Sequence, residues 1–209
     1  MDICIYYAYF EKLPDEKFAA LLNDLPQNIQ ERIKKFRRWQ DAHAVLMGRQ
    51  LLSRILSDEH LGLGLDNVMY SSTGRPYFNE AIDFSISHSA NIAVCAVSTG
   101  SKIGIDVELI TDLDINDYRT IFTEKEWNEI INAVNPLVTF YRYWTIKECI
   151  LKADGAGIGE LASLEITNKQ IKFKDNEWQV EEIFLETNYV CHIAFPNRPA
   201  SMNIRKIVF

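Results

Sequence analysis

The stretch Lys102–Leu109, which reads Lys-Ile-Gly-Ile-Asp-Val-Glu-Leu, decides the fold because its hydrophobicity alternates strictly. The odd-numbered residues from 103 to 109 are aliphatic and fall on one face of a β-strand, whereas Gly104, Asp106 and Glu108 fall on the other. Two carboxylates about 6.6 Å apart on one face repel each other, and a hard cation such as Mg²⁺ would relieve the repulsion. For the octapeptide alone, an ordinary half-buried strand with a solvated polar face is the more common explanation.

A helix predicted over Pro136–Ala153 is the second element whose residues could take part in a reaction. Tyr141, Trp144, Glu148 and Lys152 share one of its faces. Glu148 and Lys152 could form a surface ion pair of about 0.3–0.5 kcal/mol. The aromatic neighbours indicate instead that this face is partly covered, and charges on a covered face usually have a specific role.

Two helix starts carry capping signals. Thr123 followed by Glu126 forms a capping box before one helix. At the start of the next helix, Asn135 is the cap residue and Pro136 is a proline of the first turn.

Two stretches of the first hundred residues suggest anion binding. A helix near Pro26 carries basic residues on its polar side, which is either a solvated face or an anion or acidic-partner site: Arg32, Lys34, Lys35, Arg37 and Arg38. His88 ends a strand that begins at Asp83, with Ser87 and Ser89 beside it and Arg75 in the preceding turn. That combination suits an anion better than a metal ion.

The composition is that of a globular protein. Of the 209 residues, 47% are hydrophobic and 24% charged, enough for one large or two small domains. The formal net charge of −7 argues against a nucleic-acid-binding protein, although a local basic patch stays compatible with it.

The cysteines indicate a reducing compartment. Cys4, Cys95, Cys149 and Cys191 show no CxxC spacing and no zinc-site pattern, so buried thiols are expected. The first residues resemble a strand and not a secretory signal, and no apolar run is long enough to span a bilayer. We therefore expect a cytoplasmic protein without a membrane partner.

Helices followed by strands occur twice, before and after about residue 100, which suggests two similar halves. Strands over Asp83–Ser87, Ile92–Val97 and Lys102–Leu109 are predicted to form an antiparallel hairpin or meander. The strands predicted near the end are expected to complete the sheet of the second half: Leu164–Thr167, Ile171–Phe173, Trp178–Phe184, Tyr189–Phe195 and Ile204–Phe209.

Five motifs in order resemble the Sfp-type 4′-phosphopantetheinyl transferases. They are Thr73-Gly74-Arg75-Pro76, Phe84-Ser85-Ile86-Ser87-His88-Ser89, Ile103-Gly104-Ile105-Asp106-Val107-Glu108, Phe122-Thr123-Glu124-Lys125-Glu126-Trp127, and Trp144-Thr145-Ile146-Lys147-Glu148-Cys149-Ile150-Leu151-Lys152-Ala153-Asp154-Gly155.

The resemblance implies an α/β (α+β) fold of two pseudo-twofold-related halves, residues 1–100 and 101–209, forming one compact unit. Each half would be a small, mostly antiparallel sheet packed with helices, and the ligand would lie in the cleft between them. A duplicated chain needs no partner to build that cleft, so a monomer is expected. The implied reaction moves phosphopantetheine from coenzyme A to a serine of an apo acyl or peptidyl carrier protein and releases adenosine 3′,5′-bisphosphate.

The resemblance also implies roles for individual residues. Asp106, Glu108 and Glu148 would hold Mg²⁺, with Mn²⁺ as a substitute, and Glu148 would take the proton from the carrier serine, directly or through a water molecule. Lys152 would neutralise the pyrophosphate or the departing bisphosphate. Arg75 and His88 would contact the adenosine 3′-phosphate of coenzyme A, with Ser87 beside them, and Lys152 would contact the ligand at its pyrophosphate. Arg32, less securely in register, would contact the same end of the ligand as Arg75.

Two alternatives stay open from the residues alone. Another Mg²⁺-dependent phosphoryl- or nucleotidyl-transfer enzyme would explain the carboxylates equally well, but not Arg75 and His88 beside them. A non-catalytic carrier-binding module would not need the intact acidic residues. Carrier docking near Ile121, Phe122 and Lys125 is a further hypothesis.

Overall fold

The computed structural model describes residues 1–79, 81–167 and 170–209. The helices are α1 (Asp15–Asn23), α2 (Gln27–Ile33), α3 (Trp39–Asp58), α4 (Glu124–Ile131) and α5 (Pro136–Asp154). The strands are β1 (Asp2–Tyr9), β2 (Met69–Tyr70), β3 (Pro76–Tyr77), β4 (Ile82–Ser89), β5 (Ile92–Thr99), β6 (Gly104–Leu109), β7 (Gln170–Phe173), β8 (Asn176–Glu182), β9 (Tyr189–Phe195) and β10 (Ser201–Lys206). Short 3₁₀ helices span Leu65–Asn67, Ile115–Ile121 and Ile158–Ser163.

The strands form two four-stranded sheets and a small hairpin. The first sheet has the order β10-β1-β5-β4, and the second has the order β6-β9-β8-β7. Every pairing in these two sheets is antiparallel except that of β1 with β10. The prediction of a mixed α/β fold with small, mostly antiparallel sheets is confirmed.

Two expectations about strands are wrong, and a third is confirmed in part. The last strand, β10, does not join the second sheet but pairs in parallel with β1 of the first. Of the predicted hairpin or meander, the β4–β5 hairpin is present, whereas β6 pairs with β9 and not with β5. Residues 164–167 form no strand. The division of the chain at residue 100 stays a prediction, and β10, from the end of the chain, belongs to the first sheet.

The sheets face each other across a shared core. The aliphatic face of β6 contributes Ile105 and Val107, which are fully buried, and the first sheet meets them with residues such as Ile5 and Val94. Helix α3 covers the outer face of the first sheet, and α5 covers that of the second. The order of layers is therefore helix, sheet, sheet, helix. The strict alternation of 102–109 places the polar side of β6 against α5.

Gly104 determines how closely α5 approaches β6. A Cβ atom at this position would lie 2.0 Å from the carbonyl oxygen of Cys149 and 2.5 Å from the backbone nitrogen of Ala153. Real Cβ atoms are not found so close to backbone atoms, so a side chain here would push the helix away. The bare glycine thus brings the last turns of α5 onto the strand that carries Asp106.

The predicted helix caps are both present. The Thr123 hydroxyl accepts a hydrogen bond from the N–H of Glu126, and the Glu126 carboxylate accepts one from the N–H of Thr123. The Asn135 side chain accepts one from the N–H of Val138 at the start of α5. Helix α5 ends at Gly155, which adopts the left-handed conformation with φ of +86°.

A ladder of side-chain hydrogen bonds joins the edge strands of the two sheets. Four polar side chains of β4, at alternating positions, accept bonds from backbone N–H groups of the segment 103–109. The pairs are Asp83 with Ile103 at 2.9 Å, Ser85 with Ile105 at 3.0 Å, Ser87 with Val107 at 3.3 Å and Ser89 with Leu109 at 3.1 Å. The ladder satisfies backbone donors that no neighbouring strand pairs on this side, and it fixes the register between the two halves.

Candidate active site

A three-residue cluster lies where the ladder meets α5. The Oδ1 atom of Asp106 accepts hydrogen bonds from the Ser87 hydroxyl at 2.8 Å and from the Lys152 ammonium at 2.6 Å. The same ammonium lies 3.0 Å from the Ser87 oxygen. β6 supplies the acid, β4 the hydroxyl and α5 the amine, so the cluster uses one element from the first half and two from the second.

Lys152 does not form the surface ion pair with Glu148 that the helix spacing allows. Its partner is Asp106, which is only 3% exposed. Burial lowers the pKa of Lys152, but the charge and hydrogen bond of Asp106 outweigh it and raise that pKa overall. The ammonium is therefore held charged inside the site.

One oxygen of this buried carboxylate has no partner. Asp106 Oδ2 is buried and receives no hydrogen bond among the described residues. Glu108, two residues on, accepts a hydrogen bond from the Ser89 hydroxyl at 2.7 Å. Burial and the neighbouring Asp106 and Glu148 charges, opposed by Ser89 and Lys152, raise the pKa of Glu108 to about 7. Negative charge is thus in excess here.

Glu148 completes the acidic side of the site from α5. Burial, followed by the charge of Asp106, raises its pKa. The three predicted metal ligands therefore affect one another electrostatically. In the described ranges, however, no group of three or more His, Cys, Asp or Glu side chains is arranged to hold a metal ion. The oxygen donors and the unpartnered Asp106 Oδ2 have the chemistry that a hard cation requires, and the three-ligand site stays a prediction.

A cavity of about 380 Å³ opens beside the cluster. Its basic lining residues come from α2, α3, the turn before β3, β4 and α5, and they are Arg32, Arg49, Arg75, His88 and Lys152. Among the described residues that line it, none is Asp or Glu. In a protein of net charge −7, such a concentration of positive charge indicates an anion-binding cavity.

Arg75 lies in the cavity wall with most of its donors already used. Its guanidinium forms a bidentate pair with Asp83 and also donates to the carbonyl oxygens of Lys152 at 2.7 Å and Ile103 at 3.1 Å. Four of its five N–H donors are therefore engaged within the protein. In this arrangement Arg75 connects β4, β6 and the end of α5. One N–H donor of its guanidinium remains for the predicted contact with coenzyme A.

His88 is one of four β4 residues that line the cavity. Its side chain is exposed by surface area, yet protein surrounds it on most sides. Loss of solvation, together with the positive charge of Lys152, lowers its pKa. Arg32 also lines the cavity, so the structure brings four of the predicted coenzyme A contacts to its wall and places the fifth, Ser87, in the neighbouring cluster.

Arg49 lines the same cavity and was missed by the sequence analysis. It lies on α3 between buried residues that include Met47 and Leu51. An arginine on the apolar face of an amphipathic helix was the signal that could have identified it.

A buried ion pair holds α5 in place from behind. The Lys147 ammonium lies 2.9 Å from Glu126 Oε2, and the two side chains are 0% and 1% exposed. Lys147 also donates to the carbonyl oxygens of Ile121 and Leu161. This arrangement supports the helix that carries Glu148. Phe122 is buried in the same region, so it cannot contribute to a carrier-docking surface as hypothesised.

Comparison with known proteins gives the family. Residues 102–201 match the profile of the 4′-phosphopantetheinyl transferase superfamily, and residues 13–100 match that of the 4′-phosphopantetheinyl transferase N-terminal region. The chain therefore belongs to the 4′-phosphopantetheinyl transferase superfamily.

Three relatives illustrate the similarity, two from bacteria and one from an animal. The 4′-phosphopantetheinyl transferase HetI of Nostoc sp. is 30% identical over 87% of this chain and 82% of its own length. The L-aminoadipate-semialdehyde dehydrogenase-phosphopantetheinyl transferase of Xenopus laevis is 31% identical over 78% of this chain. The 4′-phosphopantetheinyl transferase gsp of Aneurinibacillus migulanus is 32% identical over 71% of this chain. The matches cover 65% of the length of each of the last two relatives.

In the ranges that the structure describes, no helix has both the length and the apolar character needed to cross a membrane.

Proposed function

We propose that this protein transfers the 4′-phosphopantetheine group of coenzyme A to a serine of an apo acyl or peptidyl carrier protein, releasing adenosine 3′,5′-bisphosphate. The observation that carries the proposal is the junction of two dissimilar sites. The acidic cluster around Asp106 adjoins a cationic cavity free of carboxylates among its described lining residues, and Lys152 belongs to both. A pyrophosphate with a nucleotide on one side and a transferable group on the other fits such a junction.

The cavity would hold the nucleotide end of coenzyme A. Arg32, His88 and the remaining donor of Arg75 would contact its phosphate, since they line a space without competing carboxylates. Ser87 and Lys152 stand at the border with the acidic cluster, so they would contact the pyrophosphate.

The acidic residues would carry the metal. Asp106, Glu108 and Glu148 are the proposed ligands of Mg²⁺, or of Mn²⁺ in its place. Asp106 Oδ2 is a buried oxygen without a hydrogen-bond partner in the part of the chain that the structure describes. When bound, the cation would supply positive charge to the pyrophosphate oxygens. Burial, followed by the charges of Asp106 and Glu148, raises the pKa of Glu108, and a bound cation would offset the repulsion among the three carboxylates.

In the proposed reaction the carrier serine oxygen attacks the phosphorus that bears pantetheine. A new bond forms between the serine oxygen and this phosphorus, while the bond between the phosphorus and the bridging oxygen of the pyrophosphate breaks. Glu148 takes the proton of the serine, directly or through a water molecule. The electron pair of the broken bond leaves with adenosine 3′,5′-bisphosphate, whose charge Lys152 would offset.

We also propose the compartment, the oligomeric state and the class of carrier proteins. All four cysteines are free thiols, which supports a reducing, cytoplasmic location. One chain supplies both sides of the site, which supports a monomer. The carriers would belong to fatty acid, polyketide or nonribosomal peptide synthesis.

Mass spectrometry of apo carrier proteins tests the proposal. A panel of carriers is incubated with the protein, coenzyme A and Mg²⁺, with EDTA as the control. We expect a mass increase of one phosphopantetheine that EDTA abolishes, and we expect Asp106→Ala or Glu148→Gln to reduce turnover by orders of magnitude with the fold intact. Full activity in EDTA or in either variant would contradict the metal assignment. Binding of ATP in preference to coenzyme A would favour a different phosphoryl-transfer enzyme.

A further inference from the structure

The guanidinium of Arg49 is buried without a counter-ion. Arg49 is 8% exposed, and its Nη1 atom is enclosed by protein yet has no hydrogen-bond partner among the described residues. Its Cζ atom lies 5.9 Å from the centre of the Phe84 ring, which covers part of the group. Five N–H donors in this position would normally be matched by acceptors.

Among the residues that the structure describes, no carboxylate forms an ion pair with Arg49. Burial lowers its pKa, Tyr70 and Cys95 oppose this weakly, and the nearby positive charge of Arg32 adds to the decrease. Other arginines differ: Arg75 is paired with Asp83, and Arg54 with Asp58. A buried charge without a partner destabilises a fold, so one usually serves a ligand that supplies the opposite charge.

We propose that Arg49 binds the terminal phosphomonoester of coenzyme A, the 3′-phosphate, together with Arg32. This inference rests on the proposed function and adds a ligand-binding residue to it. The side chain lines the cationic cavity, and the described part of that lining offers no carboxylate that a phosphate would have to displace. A phosphomonoester carries up to two negative charges, which match two neighbouring guanidinium groups.

The position of Arg49 also distinguishes this phosphate from the pyrophosphate. Arg49 reaches the cavity from α3, whereas Lys152, which is paired with Asp106, reaches it from α5. The pyrophosphate must reach the Asp106–Lys152 pair for transfer to occur, so the proposal assigns the phosphate at Arg49 to a second anion of the same ligand. Coenzyme A has one such group, and 3′-dephospho-coenzyme A lacks it while keeping the pyrophosphate.

The test compares these two ligands on three variants of the full chain. Arg49→Met keeps the apolar part of the side chain, Arg49→Lys keeps the charge but not the planar fork, and Arg54→Met is the matched control on the exposed side of the same helix. Calorimetry and KM measurements report binding, and thermal unfolding without ligand reports stability.

We expect Arg49→Met to weaken coenzyme A binding by about 10- to 100-fold, the usual effect of losing hydrogen bonds to a charged group. Its binding of 3′-dephospho-coenzyme A should not change, Arg49→Lys should be intermediate, and Arg54→Met should resemble the unmodified protein. Without ligand, Arg49→Met should unfold at the same or a higher temperature, because an uncompensated buried charge has been removed.

Two outcomes would overturn the inference and leave the proposed function intact. One is equal weakening of both ligands by Arg49→Met, and the other is unchanged binding of both. A lower unfolding temperature of Arg49→Met with unchanged ligand discrimination would assign Arg49 to the fold. Failure of the unmodified protein to bind either ligand would instead overturn the proposed function and the inference with it.

Discussion

Replacing Gly104 with alanine should separate α5 from β6 and so disassemble the site. The new Cβ would lie 2.0 Å from the Cys149 carbonyl oxygen and 2.5 Å from the Ala153 nitrogen, and both are backbone atoms that cannot rotate away. To restore even a 3.0 Å contact, the helix must move by about 1 Å. Lys152 lies on the same turns of α5, and its 2.6 Å bond to Asp106 crosses the interface.

The magnitude follows from these distances. Overpacking of a well-packed interior costs about 1–3 kcal/mol and more when backbone must shift, so we expect a loss of about 3 kcal/mol in the free energy of unfolding. For a chain of this size that corresponds to a decrease of about 6–12 °C in Tm. A misplacement of about 1 Å in a catalytic constellation reduces turnover by about 100-fold.

Urea unfolding and the carrier-modification assay would measure the two effects separately. Gly159→Ala is the matched control, because a Cβ atom there meets nothing within 4 Å, and it should leave both values unchanged. Stability and turnover of Gly104→Ala at the level of the unmodified protein would refute the argument that this glycine sets the distance between α5 and β6.

Three further predictions concern buried polar contacts. Lys147→Met should lower the free energy of unfolding by about 3–5 kcal/mol, because it leaves the buried Glu126 carboxylate without its cation; an unchanged urea midpoint would contradict this. His43 accepts a hydrogen bond from the N–H of Leu13 at 3.1 Å, and burial lowers its pKa from the ordinary 6.5. Its contribution to stability should be complete above pH 6.5 and be lost as the pH falls through the lowered pKa, and His43→Leu should remove this part of the pH dependence measured by urea unfolding. Ser87→Ala should cost about 1–3 kcal/mol by removing one rung of the inter-sheet ladder and should also slow transfer, whereas a variant with normal turnover would argue against a role for that hydroxyl in the site.

Much of the fold follows from short-range patterns. The alternation in Lys102–Leu109 predicted a strand, and β6 spans Gly104–Leu109. The start of α5 at Pro136 and the cap at Asn135 were likewise predicted, because a side chain three residues away satisfies the free N–H groups of the first turn. Such features depend on residues that are close together in the sequence, so they can be predicted from the sequence alone.

The candidate site was predicted less completely, because its contacts join residues distant in sequence. The residue types at Asp106, Lys152 and Ser87 suggested chemistry, but their mutual hydrogen bonds depend on how three elements meet. Arg75 looked like a free phosphate ligand until the fold placed Asp83 against it. Arg49 was missed because its burial depends on how α3 packs against the first sheet.

By itself, the sequence determined most of the strands, the long helices and their caps, and the kinds of residue that could act together, since periodicity and capping are local properties of the backbone; the strand expected over residues 164–167 is absent. Only the tertiary structure decided which sheet receives β6 and β10, because alternation gives a strand two faces but does not choose its neighbours. It also decided which charges are compensated. Arg75 meets a carboxylate and Arg49 does not, and that difference arises from packing between α3, β4 and the turn before β3.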